Sequence, residues 1–396
     1  MRDLILGESL DALIDFRGKT PKKLGADFTE NGVPVASAIL VDNGILDLSS
    51  PRFVAHDTYL KWMSTPTRKG DVLLTSEAPL GRVARVPSDA PLVLGQRLFG
   101  LRGKEGVLDN GFLYYALLTD SVRADLVGRS TGTTVFGIRQ SALRHVRIPA
   151  PSFSEQRAIA EVLGALDDKI AANTKLSIEA EELMIQRWRV QVEQIAPVKM
   201  RRIGDCGRVV TGKTPSTTEP KNFGEDVPFV TVGDMRAGMY INKTARSLSV
   251  AGANTVRQSV LPIGSVLMSC IATIGEVGLI TRASVTNQQI NALVGGPDLL
   301  AAFTYLSFKG LGAELQALGA GGSVYTNVSK SSFAGLEIPV PSLQIQNMVV
   351  GGLDQVSRSV REETLTLIAL RDALLPQLMS GKLRVRDAET AVEAVV

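Results

Sequence analysis

The chain has 396 residues with 44% hydrophobic content, which is enough for two or three domains with sizeable cores. The net charge of +3 permits a polyanionic partner without requiring one. The absence of an 18-residue apolar run argues against a membrane span, and the acidic N-terminus is unlike a signal peptide. The only two cysteines, Cys206 and Cys270, lie far apart, which argues against a disulfide scaffold and predicts a cytoplasmic protein.

Residues 1–150 have the pattern of a mixed α/β domain. The segments VPVASAILV, DVLLTS and RVARV predict strands, and glycine and proline punctuate them densely. A short helix is predicted from Asn110 to Thr119. The length of this segment is normal for one domain.

Residues 151–194 predict one long helix with a coiled-coil seam. Pro151 blocks helix formation upstream, and Ser152 with Glu155 forms a capping-box pattern. Apolar and small residues then alternate in steps of four and three, as the seam of a coiled coil does. The seam positions are Ile159, Leu163, Leu166, Ile170, Asn173, Ser177, Ala180 and Met184.

The second half of the chain repeats the first. Arg17–Pro21 matches Thr211–Pro215 at an offset of 194 residues, and Pro149–Pro151 matches Pro339–Pro341 at an offset of 190. Residues 195–340 therefore predict a second globular domain, with strands at VPFVTV, SVLMSCIATI and EVGLI and a helix near Leu299 to Leu318. Residues 341–385 predict a second long helix, and residues 386–396 a flexible tail.

The second long helix has the same seam steps as the first. Because neither helix can bury its seam alone, we expect the two to pack on each other, although each packing on its own domain is an alternative. The predicted fold is α+β: two tandem mixed domains separated by long helices that form an antiparallel coiled coil. Asn173 and Glu363 would fix its register. The second seam comprises Val349, Leu353, Val356, Val360, Glu363, Leu367, Leu370 and Leu374.

One motif resembles a nucleotide site. Residues Gly207 to Thr214 match the phosphate-loop pattern letter for letter. We reject that interpretation because no buried apolar strand precedes Gly207, and Pro215 follows where a helix should begin. A turn after a short helix is the simpler prediction.

Two loop regions in each copy carry cations and hydroxyls suited to phosphate contacts or base edges, although an ordinary solvated loop remains an alternative for each residue. Five arginines between Arg123 and Arg147 face a single acid, Asp125, in the pattern of a basic patch. The candidate DNA-binding residues of the first copy are Lys19, Thr20, Lys22, Lys23, Arg129, Thr131, Thr133 and Arg139. Those of the second are Lys213, Thr214, Ser216, Thr217, Ser323, Tyr325, Asn327 and Lys330.

Catalytic patterns are missing from the sequence. The two histidines, His56 and His145, have no cysteine at metal spacing, so no metal site is predicted. No nucleophile elbow and no adenine-methyltransferase motif of the form N/D-P-P-Y/F occurs. The sequence therefore predicts a protein without chemistry of its own.

The paired segments IPAPSFSEQRAIAEVLGALDDKI and IPVPSLQIQNMVVGGLDQV, the GKTP turns and the ending LLPQLMSGKL resemble the specificity subunit of type I restriction-modification enzymes. The resemblance covers nearly the whole chain, although Ile345 replaces the capping-box glutamate in the second copy. It implies two target-recognition domains, each reading half of a bipartite double-stranded DNA site. It also implies two methyltransferase subunits as partners and, in some systems, restriction (translocase) subunits, with S-adenosylmethionine, ATP and magnesium bound by those partners.

Helices of about 50 Å could span half-sites one turn of DNA, about 34 Å, apart, so their length would set the unread spacer. That this ruler measures DNA is implied by the resemblance alone. Two alternatives stay open: a coiled-coil scaffold whose domains bind proteins, and an NTPase that rests on the phosphate-loop match.

Overall fold

The computed structural model describes residues 1–42, 44–132, 136–195, 198–320 and 327–394. These fall into two compact units: unit 1 comprises Met1–Ile170 with Thr366–Val396, and unit 2 comprises Ala171–Leu365. Both unit boundaries fall inside a long helix. Each unit therefore contains one segment of each long helix.

The strands divide evenly between the two units. Unit 1 has β1 Arg2–Ile5, β2 Leu10–Asp15, β3 Val33–Ala36, β4 Val41–Asp42, β5 Ile45–Leu46, β6 Arg52–Val54, β7 Val72–Thr75, β8 Val83–Arg85, β9 Val93–Leu94, β10 Leu98–Gly103 and β11 Arg147–Ala150. Unit 2 has β12 Met200–Arg202, β13 Gly207–Thr211, β14 Phe223–Gly224, β15 Val227–Val230, β16 Tyr240–Ile241, β17 Arg246–Leu248, β18 Val266–Ser269, β19 Val277–Ile280, β20 Val285–Thr286, β21 Ile290–Gly295 and β22 Glu337–Pro339.

The α-helices are mostly short, apart from two of 37 residues and one of 20. In chain order they are α1 Leu6–Ser9, α2 His56–Trp62, α3 Asn110–Ala116, α4 Asp120–Gly128, α5 Gln140–Leu143, α6 Phe153–Arg189, α7 Ile203–Cys206, α8 Val250–Thr255, α9 Ala301–Ala320, α10 Lys330–Gly335, α11 Leu343–Met379 and α12 Val385–Glu393. Short 3-10 turns lie between several of them, at Lys22–Leu24 and Pro220–Asn222 for example.

The two units share one sheet plan. In unit 1 an antiparallel sheet runs β2-β10-β7-β8, and in unit 2 the equivalent sheet runs β13-β21-β18-β19 with β16 added in parallel. A small mixed sheet lies in each unit, β6-β3-β9 in the first and β14-β17-β15-β20 in the second. A two-stranded pair, β1-β11 or β12-β22, leads into each long helix. The internal repeat predicted from the sequence therefore corresponds to two copies of the same fold.

A buried glutamine fixes the start of each long helix. The Gln156 amide group accepts a hydrogen bond from the backbone of Asp109 at 3.0 Å and donates to the carbonyls of Val107 and Pro151. Gln346 makes the same pattern in unit 2, accepting from Leu300 and donating to Asp298 and Pro341. Because both side chains are fully buried, these bonds satisfy groups that would otherwise be costly to bury.

The two helix starts differ in capping, as the sequence predicts. Ser152 and Glu155 bond reciprocally, and the Ser152 hydroxyl holds the pKa of Glu155 below its usual value. In the second copy the box is lost, but the Ser342 hydroxyl lies 3.5 Å from the Ile345 amide and helix α11 still begins at Leu343. The serine alone therefore suffices for the start of that helix.

The long helices pack antiparallel within each unit. In unit 1, Asp167 accepts a 2.9 Å hydrogen bond from Arg371 and a 2.6 Å bond from the Tyr115 hydroxyl. The apolar residues around this polar cluster belong to the unit 1 core: Ile159, Leu163, Leu166, Ile170, Leu367, Leu370, Leu374 and Leu378. Burial and the neighbouring Asp167 carboxylate raise the pKa of Tyr115, so its hydroxyl stays a donor.

In unit 2 the helix pair is polar in part. The Asn173 amide donates to the Glu363 carboxylate at 2.8 Å, and the hydroxyls of Ser177 and Ser357 lie 3.0 Å apart. The register prediction made from Asn173 and Glu363 is confirmed. Beyond these pairs, the buried Met184 and Trp188 join the core that contains Val349 and Leu353.

The predicted seam is wrong at Val356, which is 39% exposed. Its neighbour Ser357 is fully buried in its place. Helix α11 is also broken at Gly351, five residues before Val356, where φ is 43° and ψ is −143°. Leu353 and Val360 keep intermediate burial, Glu363 still pairs with Asn173, and Leu370 packs against the unit 1 core, so the departure is confined to one position of the seam.

The predicted flexible tail is also wrong for most of its length. Val385–Glu393 forms α12, Ala388 is fully buried in the unit 1 core, and Val385 and Val392 pack against that core. The apolar residues recur along one face of this helix, and their burial accounts for its order.

Candidate nucleic-acid interface

Loops from separate parts of unit 1 meet beyond the end of β2. The Arg17 guanidinium donates to the Ile138 carbonyl at 3.2 Å, and the Ile138 amide donates to Ser76 at 2.9 Å. Glu77 and Gly137 form a β-bridge. The turn after β2, the hairpin loop after β7 and the segment around 137 therefore form one continuous surface.

Unit 2 builds the same surface from equivalent segments. Ile271 and Asn327 form the corresponding β-bridge, and the Val328 amide donates to the Cys270 carbonyl at 2.8 Å. The Thr214 hydroxyl bonds the Gln288 side chain at 2.7 Å, which holds the turn after β13 against the loop before β21. Both copies thus present three loops at the same edge of the larger sheet.

The hairpin loop has the same backbone shape in both copies. Ala78 has φ 52° and Ala272 has φ 62°, and Gly81 and Gly275 have φ 90° and 89°. A non-glycine residue with positive φ costs on the order of 1 kcal/mol or more. Because both alanines carry that strain at the same offset of 194, the loop shape is a property of the fold rather than of one copy.

In the first predicted turn, two lysines have internal partners. The Lys19 ammonium donates to the carbonyls of Lys61 and Trp62, at 3.3 and 2.6 Å, and that of Lys23 donates to Gly18 at 2.8 Å. The Lys23 amide donates to the Thr20 hydroxyl, and Lys22 is exposed. Of the three lysines, Lys22 presents its charge most freely.

The second predicted turn is more open. Lys213 and Thr217 are exposed, and the Ser216 hydroxyl lies 2.8 Å from that of Thr218. Gly207–Thr211 is strand β13, paired along its length with β21, and no helix follows Lys213 directly. The predicted short helix is present as α7, Ile203–Cys206, but strand β13 lies between it and the turn. This geometry agrees with the rejection of the phosphate-loop interpretation.

The basic segment of unit 1 is partly neutralised by its one acid. Burial opposes ionisation of Asp125, but hydrogen bonds from Arg129 and from the Arg147 amide hold its pKa below the usual value. Arg129 Nε lies 3.0 Å and Arg147 Nη2 lies 3.8 Å from this carboxylate. The predicted residue Arg139 is exposed and keeps its charge available.

The other predicted residues fall into two groups. Thr131 is exposed and exchanges two backbone hydrogen bonds with Gly137, while Asn327 and Lys330 are exposed at the start of α10. Thr133, Ser323 and Tyr325 lie outside the described residues.

Sequence inspection did not single out two exposed arginines, Arg52 and Arg246. Each lies over a phenylalanine ring in the small sheet of its unit. The signal that could have found them is the repeat itself, since the two positions differ by the same 194 residues as the GKTP turns.

The described residues bring no cluster of three histidine, cysteine, aspartate or glutamate side chains together as a metal site. Within the same part of the chain, no helix is both long and apolar enough to cross a membrane.

The two units therefore repeat one α+β fold with the same arrangement of loops, as a tandem two-domain protein does. A sequence profile described as the type I restriction modification DNA specificity domain matches residues 9–182 and again 196–369. The chain belongs to this family.

Two specificity subunits of known type I restriction enzymes are similar to this chain in sequence. The specificity subunit of the HindI type I restriction enzyme from Haemophilus influenzae is 37% identical over 192 residues, which cover 47% of this chain and 41% of that one. The MjaIX specificity subunit of Methanocaldococcus jannaschii is 26% identical over 81% of this chain and 79% of its own length. The match therefore spans less than half of the HindI subunit.

The crystal structure of a type I restriction-modification S subunit from M. genitalium has the same fold, with a TM-score of 0.61. It is 18% identical, and the match covers 95% of both chains.

Proposed function

We propose that this chain is the DNA-specificity subunit of a type I restriction-modification system, with each unit reading one half of a bipartite, gapped DNA site. The observation that carries this proposal is a repeated loop frame with different side chains on it. Arg17 of unit 1 corresponds to Thr211 of unit 2, Glu77 to Ile271, and Gly137 to Asn327. Bases are read by side chains at groove edges, so the same frame with different side chains suits two different half-sites.

The proposed chain has no catalytic role. The proposed complex contains two methyltransferase subunits, which would bind S-adenosylmethionine and methylate an adenine in the DNA site. Restriction subunits, where a system has them, would use ATP. Three apolar side chains of α6, Leu176, Ile178 and Leu183, are 42%, 54% and 40% exposed. Leu176 and Leu183 are seven residues apart and therefore share one face of the helix, which supports a role for that face in binding a partner subunit.

The helices have a second proposed role. Helix α6 has 37 residues and is therefore about 55 Å long at 1.5 Å per residue, whereas α11 is broken at Gly351 and its longer segment, which ends at Met379, is about 40 Å long. We propose that this length sets the number of unread base pairs between the half-sites. We also infer a cytoplasmic location, supported by Cys206 and Cys270, which are both buried, free thiols.

Mapping methylated adenine across the genome, with and without this gene, tests the function. We expect methylation at one gapped motif to disappear with the gene, which would also give both half-sites. Restoring the gene should restore that motif alone. An unchanged pattern of methylation, in cells that make the protein, would refute the proposed function.

A further inference from the structure

Each small sheet carries an arginine that lies flat over a phenylalanine. Arg52 Cζ is 4.8 Å from the centroid of the Phe28 ring, and Arg246 Cζ is 4.5 Å from that of Phe223. Both arginines are exposed, and each begins the equivalent strand, β6 or β17. Because the stack occurs independently in two copies with divergent sequences, we treat it as a feature that the fold retains.

The stack lies at the end of the predicted phosphate-contact turn in both units. In unit 1 the turn leads to Phe28, and the next residue, Thr29, bridges Phe53 of β6. In unit 2 the Asn222 side chain donates to the Ser216 carbonyl at 3.0 Å, and Phe223 then pairs with Leu248 of β17. The phenylalanine therefore couples the turn to the strand that carries the arginine.

The two guanidinium groups are free to bind a ligand, whereas two other exposed arginines of unit 1 are paired with carboxylates. Arg82 pairs with Asp42 at 3.4 Å, and Arg97 pairs with Glu77 at 3.1 Å. In the described part of the chain, no ion pair to a carboxylate involves Arg52 or Arg246. Stacking fixes the plane of a guanidinium without engaging its five N–H donors, so each group is oriented in advance for an anion.

A guanidinium group can bind either a phosphate or the edge of a guanine base. Comparing the two copies of the repeat shows which ligand is favoured here. Two units that read different bases need different readers but the same contacts to the sugar-phosphate backbone. A residue that is identical in both copies, in the same stack, suits the contact that both share.

We infer that Arg52 and Arg246 each bind one phosphate of the DNA backbone, and so position their unit on the duplex without reading its sequence. This inference rests on the proposed function.

The two sites differ in charge. Arg52 lines a cavity of about 260 Å³ together with Lys19 and Thr20 of the turn, and its described lining residues include no acid. The groove beside Arg246 is lined by Glu225 as well as Phe223. Because that carboxylate repels a phosphate, the Arg52 site should contribute more to binding.

The test uses the complex purified through a tag on this chain, and two labelled duplexes. One duplex carries the motif found by methylation mapping, and the other carries a scrambled sequence of the same length. Arg52→Gln should weaken binding to both duplexes about five- to tenfold at 0.1 M salt. It should also reduce the magnitude of the slope of log binding constant against log salt concentration by about one. Arg246→Gln should act in the same direction with a smaller loss.

Three further variants make the result specific. Arg52→Lys keeps the charge and should retain most of the affinity, because a phosphate accepts either cation. Phe28→Leu should lose part of it, because the guanidinium loses its support. Arg157→Gln, at an exposed arginine paired with Glu161 on α6, should leave binding unchanged. Equal melting temperatures exclude unfolding as the cause.

The outcomes separate the two claims. Wild-type complex that binds neither duplex overturns the proposed function and this inference together. Wild-type binding that Arg52→Gln and Arg246→Gln leave intact overturns the inference alone. A variant that methylates a different half-site also overturns it, since the arginine would then read a base.

Discussion

Asp71 is fully buried in unit 1, and both of its carboxylate oxygens accept bonds from the Arg102 guanidinium, at 2.8 and 2.7 Å. The Arg68 amide adds a third bond at 2.9 Å. The hydrogen bonds that Arg102 donates to Asp71 raise the pKa of Arg102, so the arginine is firmly charged. The corresponding position in unit 2 is Ser265, whose hydroxyl bonds the Pro262 carbonyl instead. The two copies therefore satisfy the same buried position by different chemistry.

We predict that Asp71→Asn destabilises the protein by about 3–5 kcal/mol, because it leaves the Arg102 charge buried without a counter-ion. Chemical denaturation followed by circular dichroism measures this. Glu161→Gln, which breaks a solvated pair with Arg157, should change the free energy of unfolding by less than about 0.5 kcal/mol. Equal effects of the two substitutions would contradict the buried-pair interpretation.

Single side chains were the hardest level to predict from the sequence. The position of Lys213 on an exposed turn could be predicted from the glycine, proline and hydroxyl residues next to it in the sequence. The contacts of Lys19 with two distant carbonyls could not, because they depend on tertiary structure. The Arg129–Asp125 pair spans four residues along α4 and is a local pattern, whereas the contact of Arg147 with Asp125 could not be anticipated, since it forms only when β11 packs on α4. Charge counts along a sequence do not reveal which charges remain free.

Among the elements, α11 departs most from its prediction. Its seam was inferred by adding 190 to the positions of α6, which assumes two helices of equal regularity. Gly351 breaks that regularity, and the adjacent Gly352 gives the sequence signal that could have warned of it. The start of α6 was predicted well, because its capping box is a local pattern that needs no tertiary information.

Gly351 and Gly352 give a matched pair of substitutions. Gly351→Ala should destabilise the protein by about 1–3 kcal/mol, because an alanine is strained at φ +43° and ψ −143°. Gly352→Ala, with open space around its Cβ position, should stabilise by about 0.4–1 kcal/mol, because alanine restricts the unfolded chain more than glycine does. Thermal denaturation compares them. Stabilisation by both would mean that α11 is continuous through Gly351 in solution.

For the molecule as a whole, the proposed ruler can be tested with paired deletions. Removing residues 171–177 together with residues 357–363 takes one heptad from each helix, along with both partners of the Asn173–Glu363 and Ser177–Ser357 pairs. Seven residues correspond to about 10 Å, or about three base pairs. Methylation mapping should show both half-sites unchanged and the spacer shortened by about that number.

Deleting residues 171–177 alone is the control. It removes the hydrogen bonds that Asn173 and Ser177 make with Glu363 and Ser357, and it should impair folding rather than shift the spacer. An active double deletion with the original spacer would exclude the ruler.

The repeat made the whole-molecule architecture the most predictable level. Matching segments at offsets of 194 and 190 gave the order of domain and helix before any contact was known. The same information could not show that residues 385–393 would form a helix in unit 1, since the first copy has no counterpart of that segment.

The composition of unit 1 has a consequence for protein synthesis. Unit 2 is a single continuous segment, whereas unit 1 needs residues 366–396 to complete its core. Leu367, Leu374, Leu378 and Ala388 are all buried there. On the ribosome, unit 2 can therefore finish folding first. Most of unit 1 emerges before unit 2, but part of its core stays exposed until its last segment, which follows unit 2 in the chain, has been made.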